Sequence, residues 1–523
     1  MNLFAAQSDR EPILFRPDGV GASLGFYLPA TMLSRFMGLI RGVVLTWLIS
    51  ESQYGLLQIA MLSISILHPL LGVGFNEAMT RYVPQYETRG ALRAFLARAL
   101  AGAMLISLVV CGLAWLGAGP LGRFLFEIMP EAGGLPAGFD VTLIGHLAVA
   151  ATFCLVLYFL MLGILRGLRM FRAISAIETV YQVGFTVVAV VIALFGWKSA
   201  QAMLICYAAS VLGTVLLFSP CLVRVIGSAA DQPEPLSESG RALLGQMLRF
   251  SIWAALAALM WQTLQYYPVW YLHKVCGREG EVTGIFAAMR LLAQAVLVIA
   301  LAVVTVVQTS VTKTWETQGR ELADRLLLLG FKATALVLLG LSAVLAVSAR
   351  LLVMIYPSSY SIGQAAITPS LLNYVLWSYL LFQTIHFTLI EKTRHVFVPW
   401  CLGLLCTVAL SKWLVQPGLP DEAAILAAAW AGVLGITPAM LACLVLLKLE
   451  KRPFDFGTWL LLAAASVLAL PLPLMVPVMG LVLLLAAGTT AILNHEEKRQ
   501  IRDFLATGHG TARQILSQLV GWM

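Results

Sequence analysis

The sequence predicts an all-α polytopic membrane protein of about fourteen transmembrane helices, arranged as two pseudo-symmetric six-helix lobes around a central cavity with two further helices at the C-terminal end. Three observations carry that expectation. Of 523 residues, 60% are hydrophobic and 11% charged, where a soluble domain carries about 25% charge. Apolar runs recur along the whole chain, most of them long enough at ~1.5 Å per residue to cross a hydrocarbon core of ~30 Å. Lys and Arg, counted with the nearest loop, are asymmetric: 25 fall in the alternate segments that include both termini, six in the opposite loops and three inside spans. That bias predicts a multi-pass protein of the cytoplasmic (inner) membrane with both ends inside.

In order, a cytoplasmic tail over 1–25 precedes spans predicted over 26–49, 54–76, 96–118, 143–165, 174–196 and 200–222, which make an N-terminal lobe over 26–224. A linker over 225–248, rich in Pro, Ser and acids, reads as cytoplasmic. The second lobe, 249–448, holds spans over 250–273, 283–309, 327–349, 368–390, 396–414 and 423–447. Helices 13 and 14, over 456–473 and 475–493 within 449–494, are separated by almost no loop, so a re-entrant hairpin is the alternative to two spans. The tail over 495–523 carries Ile515, Leu516, Leu519, Val520 and Trp522 in a pattern that suits a short amphipathic helix on the membrane surface.

The lobe symmetry rests on an internal repeat. Glu87-Thr88-Arg89-Gly90 and Glu316-Thr317-Gln318-Gly319 are 229 residues apart, as are Gly55 and Gly284. Six helices separate the copies, so the lobes should share an orientation and be related by an axis along the membrane normal.

The polar residues inside the spans define the candidate site. Arg35 and Arg41 both lie in the first span, where each costs roughly 2.5 to 3.5 kcal/mol near the bilayer centre unless a cavity, a partner or an anion compensates it. Arg290 lies within the eighth. These three are candidate ligands of an anionic group; snorkelling to the interface, or pairing with an acid of the same lobe, is the bland alternative. His68, with Asn76 and Glu77, either pairs with those arginines, lines the cavity or makes a helix–helix hydrogen bond. Glu178 and Gln182 form one polar stripe at i and i+4, which makes Glu178 the candidate for binding a coupling ion. Gln265 and Gln294, with Gln262 and Tyr266, are placed to hydrogen-bond sugars while Trp261 and Trp270 stack on them, or else serve as packing. Eight scattered cysteines form no CxxC pair, and neither a phosphate-cradling glycine loop nor a metal motif is present, so no cofactor and no enzymatic activity are expected.

Several segments resemble a known family. GVGFNEAMTRYVPQYETRGALR (Gly72 to Arg93) and LRGLRMFRAISAIETV (Leu165 to Val180) look like the polysaccharide-transporter branch of the multidrug/oligosaccharidyl-lipid/polysaccharide exporter superfamily. Arg249-Phe250-Ser251, Gly284-Ile285-Phe286 and MIYPSSYSIGQAA (Met354 to Ala366) continue the likeness, which spans about residues 25 to 450. The resemblance implies a flippase that carries an undecaprenyl-pyrophosphate-linked oligosaccharide to the outer leaflet by alternating access, for cell-surface polysaccharide assembly. It also implies that cavity arginines of helices 1 and 8 hold the diphosphate, which here are Arg35, Arg41 and Arg290. The sequence departs from the pattern in helix 2, which has no arginine before Arg81, and in Thr312-Lys313-Thr314-Trp315, where the first lobe has Thr80-Arg81-Tyr82-Val83. The partners expected are the lipid-linked oligosaccharide, membrane lipids and components of a polysaccharide polymerase or synthase, with no nucleic acid. Two alternatives stand: a cation-coupled drug or metabolite antiporter of the same superfamily, and a non-transporting membrane partner of a glycan synthase. A polymerase or ligase should have a large outer loop with paired charged residues, and the outer loops here are short and hold only six Lys plus Arg.

Overall fold

A computed structural model describes residues 20–88, 90–126, 139–228, 240–276, 280–390, 392, 394–452 and 454–502. The surface helix expected near the C-terminus and residues 229–239 of the polar linker lie outside these residues. Among the described residues the regular structure is helical, with no strand. Among these residues twelve helices are long and apolar enough to cross a membrane, followed by two shorter apolar ones over Phe456–Ala469 and Leu472–Gly488. The chain is a multi-pass membrane protein.

The chain forms two compact units. In the first, residues 33–284, the helices are α1 (Val20–Leu48, from Leu33), α2 (Glu51–Leu71), α3 (Phe75–Thr88), α4 (Leu92–Leu116), α5 (Ala118–Phe126), α6 (Val141–Gly167), α7 (Phe171–Leu194), α8 (Ala200–Ser228) and α9 (Gly240–Cys276). The predicted second span, 54–76, is cut short at Leu71, and Asn76 and Glu77 stand in the first turn of α3. The break is a backbone effect. Gly74 has φ +67°, and a Cβ there would press on the Ser251 carbonyl of α9, so glycine both permits the turn and admits the neighbouring helix.

Sequence division and packing division fall at different places. The linker suggests a boundary near residues 225–248, whereas α9, which follows it, packs within the first unit. Its side chains give the reason. The last carbonyls of a helix lack intrahelical donors, and α9 supplies them to α5: Lys274 Nζ donates to Phe124 O at 3.4 Å, Trp270 Nε1 to Leu125 O at 3.2 Å and His273 Nε2 to Phe126 O at 3.3 Å. Thr283 completes the set, its hydroxyl 3.4 Å from His273 Nδ1. At the other end of α9, Phe250 meets Tyr82 edge-on, ring centres 6.0 Å apart.

The second unit contains residues 20–32 and, from 285 onward, α10 (Glu281–Gln318), α11 (Arg320–Val347), α12 (Ala349–Val353), α13 (Ile367–Leu389), α14 (Arg394–Leu414), α15 (Asp421–Leu449), α16 (Phe456–Ala464) and α17 (Leu472–Gly488). Both α9 and α10 extend beyond the predicted spans 250–273 and 283–309, because a helix satisfies its own backbone polar groups and can continue past the most apolar stretch. The third and ninth predicted spans, α4 and α11, are each followed after one residue by a short helix, α5 or α12. Within the first unit, Gly55 of α2 and Gly284 at the start of α10 lie face to face. A Cβ on Gly55 would overlap the Gly280 carbonyl oxygen, and one on Gly284 would overlap that of Glu51.

A charged cluster ties α11 to the start of α16 and to the helical segment after α17. Lys332 of α11 is 1% exposed, is ion-paired with Asp455, and donates to Glu497 Oε1 at 2.8 Å. Asp455 also caps α16, accepting from Thr458 N at 2.9 Å. Grouping Lys332 with a loop, as the charge count does, hides this role.

Candidate functional site

In the first unit the site is built on α1 and α7. Arg41 is half-buried, donates from Nη1 to Gln182 Oε1 at 3.0 Å, and places its guanidinium carbon 4.1 Å from the centre of the Phe185 ring. Tyr54, Tyr181 and Tyr207 lie within electrostatic reach of it. These rings form one cluster: Tyr181 and Tyr207 are 6.0 Å apart, Phe185 and Tyr207 5.2 Å, and Tyr158 and Tyr181 5.3 Å. Among the described residues of this unit, the groups set against Arg41 are neutral: an amide, a phenyl ring and three phenols. The guanidinium is oriented without its charge being cancelled, and only one of its five N–H donors is committed to Gln182.

Arg35 is exposed on the same helix, within electrostatic reach of Tyr158 and Tyr181. Glu178 is buried one turn before Gln182, 3.8 Å from Arg166, and its Oε2 has no hydrogen-bond partner among the described residues. His68 packs on Phe159, ring centres 4.4 Å apart, and Glu77 is exposed and accepts from its neighbour Asn76 at 3.2 Å. Gln265 is buried on α9.

The second unit holds Arg290 and Gln294 on α10. Arg290 is 8% exposed, donates from Nη2 to the Tyr374 hydroxyl of α13 at 3.1 Å, and lies 5.6 Å from the Phe286 ring centre and 5.8 Å from that of Tyr374. Gln294, one turn on, is half-buried. The structure thus groups Arg41 with Gln182 and the first-unit aromatics, and Arg290 with Tyr374. Sequence reasoning missed the aromatic wall around Arg41. Its signal was present: Tyr181 and Phe185 repeat at i and i+4, three residues after Glu178 and Gln182 and so beside that stripe on the helix. No group of three or more His, Cys, Asp or Glu able to hold a metal occurs among the described residues.

The model of the polysaccharide biosynthesis protein family matches residues 20–309, more than half of the chain. The chain belongs to that family. Its fold is that of solved multidrug and related transporters. A crystal structure of a MATE transporter in complex with MaL6 superposes with TM-score 0.60 at 15% identity, over 84% of this chain and 99% of that one. An inward-facing multidrug resistance MATE transporter of the MOP superfamily gives 0.60 at 16%, over 80% and 96%. A MOP superfamily transporter from Pyrococcus furiosus, described by the reverse polarity of its binding pocket, gives 0.60 at 17%, over 88% and 98%. At such identities the likeness establishes the fold. No curated protein matches the chain.

Proposed function

We propose that this family member is a flippase, which moves an undecaprenyl-pyrophosphate-linked oligosaccharide across the cytoplasmic membrane by alternating access, with both termini inside, for cell-surface polysaccharide assembly. The observation that carries this reading is Arg41, a cation in a membrane span whose neighbours in its unit orient it without neutralising it. Such a charge favours an anionic guest, and a diphosphate offers oxygens in the geometry that the guanidinium fork binds bidentately. In this reading Gln182 and Phe185 fix the fork, Arg35 attracts the headgroup from a more exposed position, and Arg290, held by Tyr374, serves the second unit. Sugars would meet the tyrosines and glutamines, and lipids and synthase components would be the partners.

A second reading, a cation-coupled drug or metabolite antiporter, is favoured by Glu178, a buried carboxylate with one oxygen unpartnered among the described residues. One assay separates the two. In proteoliposomes carrying a fluorescent undecaprenyl-diphosphate glycolipid, the wild type should expose the lipid to an outer-leaflet quencher, and Arg41→Gln should not. Equal rates in both would remove Arg41 from the headgroup reading, and none in either while a drug is exchanged for a cation would support the antiporter.

A further inference from the structure

A polar cluster in the second unit takes no part in the headgroup reading. His386, near the end of α13, is fully buried, with Nδ1 3.2 Å from Oδ1 of Asp324 on α11. Arg320 Nε lies 3.5 Å from the other Asp324 oxygen. One turn before His386, Gln383 is 1% exposed and accepts at Oε1 from Arg452 Nη1 at 2.7 Å, which ties the segment after α15 to α13. Neither His386 Nε2 nor Gln383 Nε2 has a hydrogen-bond partner among the described residues.

Among the described residues, the charged groups of this cluster are Asp324 and Arg320 from α11, Arg452 and Glu450 from the segment after α15, Lys392 before α14 and His395 within it. Glu450 holds Lys392 Nζ at 2.7 Å with both oxygens and lies 3.7 Å from His395 Nδ1. Farther along α11, Lys332 is occupied by Asp455 and Glu497.

This arrangement has a chemical direction. A carboxylate only accepts, so Nδ1 carries the hydrogen and donates to Asp324, which leaves Nε2 as the basic nitrogen of a neutral ring. A proton taken from water adds at Nε2 while the Nδ1–H remains, and the resulting imidazolium gains from Asp324 and is opposed by Arg452. Arg452 is already burdened: burial pushes its guanidinium down to about 10, against the pull of Asp324. Arg452 is held to α13 by its bond to Gln383, one turn from the imidazole, so a second cation in this buried cluster opposes that bond.

We propose that His386, oriented by Asp324, is a proton-binding site of the second unit, and that its protonation loosens the Arg452–Gln383 tie between α13 and the segment after α15. The site supplies the chain with a response to proton concentration that is separate from the charge at Arg41. It goes beyond the headgroup reading and does not depend on it.

The test is hydrogen exchange in the full-length detergent-purified protein, on peptides covering 449–455, between pH 5 and 8 and corrected for intrinsic rate. Wild type should show several-fold faster exchange at the acid end. His386→Gln should be flat, and Asp324→Asn, lacking the carboxylate that favours the imidazolium, should shift the midpoint to lower pH. The proposal is overturned by a wild type without the acid response, or by a His386→Gln protein that keeps it. If His386→Gln does not fold, Asp324→Asn decides: a midpoint shifted down supports the site, and an unshifted one overturns it.

Discussion

An arginine in a membrane span needs compensation, and Arg41 and Arg290 receive it in different forms. Arg41 has an amide and a ring face, Arg290 a phenol hydroxyl at 3.1 Å and two rings. A charge-assisted hydrogen bond contributes about 1.5 to 3 kcal/mol, so Arg41→Gln should weaken binding of a diphosphate lipid by roughly one to two orders of magnitude, as titration calorimetry in detergent would read. Arg41→Lys should recover little, since an ammonium cannot present a planar fork. Gln182→Leu tests orientation separately from charge: it should weaken binding less than Arg41→Gln while leaving binding of undecaprenol unchanged. The intramembrane arginines themselves were legible from the sequence, because charge in an apolar window stands out. The groups facing them were not, because rings and amides at helical spacing read as ordinary core until tertiary structure sets them beside a guanidinium.

At the scale of elements, hydropathy located the spans but not their breaks or allegiances. The apolar window over 54–76 continues through a turn that the positive φ angles of Val73 and Gly74 disclose, and nothing in a linear reading says that α9 carries the donors that close α5. His273→Ala should strip the Phe126 carbonyl of its donor and destabilise the protein by about 1 to 3 kcal/mol, the cost of a buried unsatisfied group, lowering the thermal midpoint without changing specificity. Gly55→Val should be as damaging or worse, since its side chain meets backbone that cannot swing aside. Lys332 joins helices in another way. Lys332→Met leaves the Asp455 and Glu497 carboxylates without the lysine and should lower the thermal midpoint, with Lys332→Met/Asp455→Asn/Glu497→Gln recovering much of the loss.

For the whole molecule, acid stability follows from the same anchors. Burial raises the Asp455 carboxyl, but the bonds from Lys332 and Thr458 outweigh it and hold the group below its ordinary value; Lys392 does the same for Glu450. A depressed carboxyl stabilises the folded state above the ordinary carboxylate value, near ~4, and that contribution is lost as pH falls through the folded value. Thermal midpoints should therefore fall on the acid side, and Asp455→Asn should flatten that limb. The most direct measurement is the thermal stability of purified protein with undecaprenyl diphosphate or undecaprenol, in wild type and Arg41→Gln. A ligand of the folded state adds RT ln(1 + [L]/Kd), about 2.7 kcal/mol at one hundred times Kd. A shift with the diphosphate alone, lost in Arg41→Gln, is expected; an equal shift from undecaprenol, or one that survives the substitution, would show that Arg41 does not hold a diphosphate.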